Sequence, residues 1–128
     1  MMLDGWPEVD ESKKMLVEQI RSFAQNKLKP QAKSFDETGN FPTEMVKQLG
    51  EMGLMGMMVP EQWGGSGMDT VSYAMAMEEI ADACASTAVI MSVNNSLVCS
   101  PLLAFGNENQ KKKFLTPLAQ GKKLGCFA

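Results

Sequence analysis

Residues 83–107 read A-C-A-S-T-A-V-I-M-S-V-N-N-S-L-V-C-S-P-L-L-A-F-G-N, the longest stretch of the chain without a formal charge. Its pattern predicts a central helix around which the rest packs. Val89, Ile90, Val93 and Leu97 recur at spacings of one, three and four, and Met91, Val98 and Leu102 thicken that side into a wide apolar face available to a core. Ser92, Ser96 and Ser100 lie four apart, so their hydroxyls form one column able to bond back to the helix or meet a close neighbour. Asn94 and Asn95 interrupt the apolar run. Two buried amides are tolerated only when hydrogen-bonded, so they either specify the packing or face a cavity that something polar enters.

A transmembrane reading of this stretch conflicts with its content. About 20 predominantly apolar residues span a bilayer, but Ser86, Thr87, Ser92, Asn94, Asn95, Ser96, Ser100 and Pro101 would bring polar groups and a broken helix into hydrocarbon. No membrane association is expected.

Outward from the centre, further helices are legible. Over residues 10–29 Asp10 can cap, Leu16, Ile20, Phe23, Ala24 and Leu28 form a stripe, and Pro30 is expected to kink or stop the helix. A short helix follows from Pro42, burying Met45, Val46, Leu49 and Met52 and closed by Gly53. Residues 54–59, L-M-G-M-M-V, read as an extended buried connection. The loop P-E-Q-W-G-G-S-G at residues 60–67 resembles a phosphate cradle only weakly, because Thr70 stands where a third glycine would be; a turn packing Trp63 is the better reading. Asp69 caps a helix over residues 70–84. Its adjacent acids Glu78 and Glu79 point about 100° apart and make no catalytic pair, so they read as a solvated edge or as partners for lysine. Asn107 with Gln110 forms a capping box ahead of Lys111, Lys112 and Lys113, Thr116-Pro117 starts one more turn, and L-G-C-F-A at residues 124–128 reads as the beginning of a strand.

Composition narrows the function classes. With 128 residues, 45% hydrophobic and 21% charged, the chain is one ordered domain. A net charge of −3 with only short lysine clusters argues against nucleic-acid binding. Histidine is absent, which removes imidazole as base, nucleophile partner or metal ligand, and no metal site is expected. Cys84, Cys99 and Cys126 are an odd set without C-x-x-C, as expected of reduced thiols. Acids rather than Lys or Arg mark the N-terminus M-M-L-D-G-W-P-E-V-D, so no targeting segment is expected and the location reads as cytoplasmic.

Taken together, P-E-Q-W-G-G-S-G-M-D, A-M-E-E-I-A at residues 76–81, C-A-S-T-A-V-I-M-S-V-N-N-S-L, F-G-N-E-N-Q-K-K-K-F-L at residues 105–115 and the final G-C-F-A resemble, in order and over nearly the whole chain, the N-terminal part of an acyl-CoA dehydrogenase. The central motif is most similar to the short-chain, butyryl-CoA type. The resemblance implies an all-α domain, an orthogonal or up-and-down bundle of about five to six helices over residues 1–121, with residues 122–128 as linker and first strand of a β-domain. It implies FAD, oxidation of an acyl-CoA to the 2,3-enoyl-CoA, electron-transfer flavoprotein as partner, a homo-oligomer when complete, and the mitochondrial matrix if the chain is a processed eukaryotic one.

The resemblance also assigns positions. Val89, Ile90, Val93 and Leu97 match the wall of the acyl pocket, although on periodicity alone the same four are core. Phe127 and Ala128 match the start of the strand that contacts the flavin. The family's Thr/Ser-Glu-Pro segment would follow Ala128, and its catalytic carboxylate, far downstream, has no counterpart here. The expectation is a chain that contributes a pocket wall and is inert alone. The alternative is a stand-alone helical interaction module.

Overall fold

The computed structural model describes residues 9–128, and most of the N-terminal stretch judged for a targeting signal lies outside them. Among the described residues the chain is all-α, with five continuous helices and no strand. These are α1 (residues 11–38), α2 (Thr43–Glu51), α3 (Thr70–Ala83), α4 (Ala85–Phe105) and α5 (residues 108–119). Asp10 caps α1 by accepting from the Lys13 N–H at 2.9 Å, and Asp69 caps α3 by accepting from the Ser72 N–H at 2.7 Å. The predicted box at α5 is complete, Asn107 Oδ1 accepting from Gln110 N–H and Gln110 Oε1 from Asn107 N–H, each at 2.9 Å.

Pro30 neither stops nor ends α1. The Lys29 N–H reaches back five residues to the Ala24 carbonyl, opening one wide π-turn just before the proline. The same device precedes Pro101, where Ser100 N–H reaches Asn95 O, and Pro117, where Thr116 N–H reaches Lys111 O. A proline inside a regular helix collides with the carbonyl four residues back and leaves it without a donor; a wide turn makes room for the ring. Thr116-Pro117 therefore continues α5 instead of starting a new turn.

Two apolar clusters hold the bundle. The larger gathers Ile20, Phe23, Ala24 and Leu28 of α1, Met45, Val46 and Leu49 of α2, Ala76 and Ile80 of α3, and Ala88 and Met91 of α4 around Leu54, Met55 and Met57. The smaller joins Cys99, Val98, Leu102 and Leu103 of α4 to Leu115, Leu118 and Ala119 of α5, with Val59 and Trp63 from the loop. Burial raises the Cys99 thiol pKa to about 11, so it behaves as an apolar side chain. Residues 54–59 are buried as expected but curl through a tight turn at Leu54–Gly56 instead of running extended. The glycine loop folds back on that turn through Ser66 N–H to Gly56 O, Gly67 N–H to Val59 O and Met68 N–H to Met57 O, at 3.0, 2.9 and 2.7 Å. Gly65 is required there, because a Cβ would lie 2.0 Å from the Val59 carbonyl oxygen.

The centre of the molecule is polar. Asn95 accepts from Met57 N–H at 2.8 Å and donates to Leu54 O and Met91 O, both at 2.9 Å. Asn94 donates to Met55 O at 2.7 Å and Leu118 O at 3.2 Å and accepts from Gly125 N–H at 2.9 Å. These are satisfied core amides, and among the described residues no buried side-chain nitrogen or oxygen lacks a partner. They curl residues 54–57 by turning its polar groups inward. By length and composition α4 could cross a bilayer. Its amides instead bind this chain's own backbone, as expected of a bundle's central helix.

Glu79 is no solvated edge. It is 3% exposed and held by two parallel bonds from Arg21 of α1, Nε to Oε2 at 3.0 Å and Nη2 to Oε1 at 2.8 Å. Spacing along α3 could not reveal this, since the partner lies 58 positions away.

Candidate functional site

Sequence periodicity chose the wrong side of α4 as core. Thr87, Ala88, Met91, Asn94, Asn95 and Cys99 are the buried positions, whereas Val89 is 60% and Leu97 49% exposed, with Ile90 and Val93 half-buried between them. A helix apolar on every side carries no directional signal. Hydrogen bonding decided the orientation, because the two amides found carbonyl partners only on the inner side. The four residues named for the pocket wall are thus not sealed by the chain's own side chains.

Val89, Val93 and Leu97 follow one another at four-residue steps, so they form a single outward column along α4. Exposed Pro101, Ala104 and Phe105 extend it, Phe105 being 88% exposed, and these the sequence reading did not single out. Tyr73 Oη meets Ser96 Oγ at 3.0 Å and Ser100 Oγ donates to Asn95 O at 3.1 Å, so two hydroxyls of the serine column serve internal contacts.

Besides a concavity of about 350 Å³ at its end, lined by Pro101, Leu102, Phe105 and Phe114, two more adjoin α4. One, of about 440 Å³, is lined by Phe35, Phe41, Pro42, Cys84, Thr87 and Ile90 at the helix start. The other, of about 250 Å³, lies farther along between Met58, Val59, Asn95, Ser100 and Leu103. Ile90 belongs to both the wall and the first concavity.

Residues 122–128 close the chain against α4 and α5. Lys122 and Lys123 N–H groups both reach Pro117 O, at 2.9 and 3.1 Å, and Gly125 N–H reaches Asn94. Phe127 is 77% exposed and Ala128 exposed, and the segment forms no ladder with any described residue.

A helical bundle whose central helix turns a column of valine and leucine outward, beside an exposed terminal segment, is an all-α domain with one apolar face left uncovered by the described residues. Its sequence matches the family model described as acyl-CoA dehydrogenase, N-terminal domain, over residues 10–122, and the chain belongs to that family. It is 50% identical over 121 residues to the mitochondrial short-chain specific acyl-CoA dehydrogenase of Mus musculus, covering 94% of this chain and 29% of the relative. Butyryl-CoA dehydrogenase from Megasphaera elsdenii superposes with a TM-score of 0.83 at 34% identity, over 91% of this chain and 31% of that one. Glutaryl-CoA dehydrogenase from Mycobacterium smegmatis in complex with FADH2 does so with a TM-score of 0.85 at 28% identity, over 91% and 30%. The chain spans about three-tenths of the length of the curated relatives named here.

Proposed function

We propose that this chain is the N-terminal helical part of an FAD-dependent acyl-CoA dehydrogenase acting on a short acyl-CoA, and that Val89, Ile90, Val93 and Leu97 supply one wall of its acyl pocket. The observation that carries the reading is the outward column itself. Branched apolar side chains at exposed positions are costly to leave in water, and at four-residue steps they present a continuous surface to a hydrocarbon chain. Bulk at these positions shortens the space facing them, which favours a short acyl group.

On this reading the domain runs to residue 121, and residues 122–128 begin a β-domain. FAD, when bound by the complete enzyme, accepts hydride; Phe127 and Ala128 border it, while the 128-residue chain does not retain it. The chain's own contribution is to bind apolar substrate surface, exclude water along the column and hold the edge at Phe127 in place. Proton abstraction is assigned, as the family resemblance implies, to a carboxylate outside these residues. The expected partners are acyl-CoA and electron-transfer flavoprotein, and the expected location is the cytoplasm, or the mitochondrial matrix for a processed eukaryotic chain. The complete enzyme is expected to be a homo-oligomer.

The test compares the 128-residue chain with the product of the open reading frame extended past Ala128, both assayed with FAD, a dye acceptor and butyryl-CoA or octanoyl-CoA. Flavin retention and butyryl-preferring turnover by the longer product alone are expected. Turnover by the short chain, or a longer product that binds no flavin, would overturn the reading. Val93→Ala in the longer product should shift preference toward octanoyl-CoA by enlarging the cavity.

A further inference from the structure

We propose that Asn94 is a positioning residue that fixes the course of residues 125–128 beside the outward column of α4. Its consequence for the flavin edge rests on the function proposed above; the geometry does not.

Asn94 is 0% exposed and uses both amide hydrogens on Met55 O and Leu118 O, which ties the residue 54–56 turn and the end of α5 to α4. Those two bonds alone would account for a structural asparagine. The third is of a different kind. Gly125 is half-exposed, so water could satisfy its N–H at little cost; bonding it to a buried carbonyl oxygen at 2.9 Å determines where the backbone lies.

A second contact agrees with the first. A Cβ on Gly125 would stand 2.7 Å from Val98 Cγ1 and 3.0 Å from Val98 Cβ, so only glycine lets the backbone lie this close to α4. Asn94 and Val98 are one turn apart and form the two points of a cradle. Val93 and Leu97 immediately precede them in sequence and belong to the outward column. Phe127 is two residues beyond the cradle, within about 7 Å of chain. Fixing Gly125 thereby limits how far Phe127 can stand from α4, and a rotation at this point would carry it away.

The experiment uses a nitroxide on exposed Cys126 in a Cys84→Ala background, Cys99 being buried. The parent should give a slow-motion spectrum. Gly125→Pro, which removes the N–H and leaves Asn94 in place, should give a fast-motion spectrum with unchanged helical circular dichroism. Asn94→Leu should free the label and raise Gly125 amide exchange roughly tenfold, the loss of one hydrogen bond. A mobile label in the parent, or an immobile one in Gly125→Pro, would overturn the proposal even if Asn94→Leu fails to fold. Failure of the acyl-CoA reading would appear separately, as a longer product without flavin, and would not move the label.

Discussion

The guanidinium of Arg21 grips the Glu79 carboxylate with Nη2 2.8 Å from Oε1 and Nε 3.0 Å from Oε2, joining α1 to α3 at the edge of the larger core. Removing Arg21 leaves a carboxylate that is 3% exposed without its cation. Arg21→Ala should therefore destabilise the fold by about 2 kcal/mol, while the paired change Arg21→Met with Glu79→Leu should recover most of that loss. Urea unfolding of the three proteins measures both. A double variant no more stable than Arg21→Ala would show that the two side chains do not act as a pair.

Asn95 holds a buried N–H and a buried carbonyl of the tight turn simultaneously, from Met57 and Leu54. Asn95→Leu conserves volume but orphans both groups, and a loss of at least ~3 kcal/mol is expected. Chemical denaturation with an unchanged m-value would confirm it; a loss under ~1 kcal/mol would mean that water replaces the amide.

The wall should be nearly silent in stability. Val89→Ser and Leu97→Ser lie at exposed positions and should change unfolding free energy by no more than ~0.5 kcal/mol, whereas Met91→Ala, on the opposite side of α4, should cost about 3 kcal/mol. Sedimentation of the same proteins gives a second readout. Self-association driven by the column should weaken in the serine variants and persist in Met91→Ala.

Acid titration reports on Asp69. The Ser72 backbone N–H, then its side chain and Lys13, hold the carboxyl pKa down to about 2. Below an unfolded-state value of roughly 3.9 the unfolded chain binds the proton first, so this stabilisation is fully present above about pH 4 and is lost as pH falls toward about 2. Asp69→Asn keeps the cap but has no proton to gain. Its melting temperature should fall less steeply between those limits than that of the parent, and a parallel profile would refute the assignment.

Thiol chemistry separates the cysteines. Cys126 is exposed and should react with a disulfide reagent first, while Cys99, buried and with its pKa raised to about 11, should react only on unfolding.

Helix identity and capping were legible because their signals are local: Asp10, Asp69 and the Asn107–Gln110 box each act within one turn of chain. Orientation was not. Residues 85–105 are apolar or small around most of the helix, so Val89 and Leu97 looked as suited to a core as Ala88 and Met91. What settled the matter was the pairing of Asn94 and Asn95 with carbonyls some 24 to 41 positions away, which no periodicity reports. The pairing of Glu79 was hidden for the same reason. Conversely, the resemblance pointed to the exposed column where residue patterning alone did not. Prolines misled twice: Pro30 read as a kink or a stop and Pro117 as the start of a new turn, because the wide turn ahead of each leaves no composition signal.

Each of those wide turns accommodates one surplus residue, absorbing the rotation of about 100° that the same insertion would impose on every later side chain of an unbroken α-helix. In α4 the wide turn lies at Val93–Cys99, between the half of the helix that faces the larger cluster and the half that faces α5. Deleting a single residue there while replacing Pro101 should leave an unbroken α-helix with Leu102 and Leu103 still directed at the smaller cluster, whereas a deletion in the regular turns before it would swing them off. The two halves of the core are thus kept in phase by an irregularity, and tolerance to indels in this family should be poorest where the helix looks most uniform.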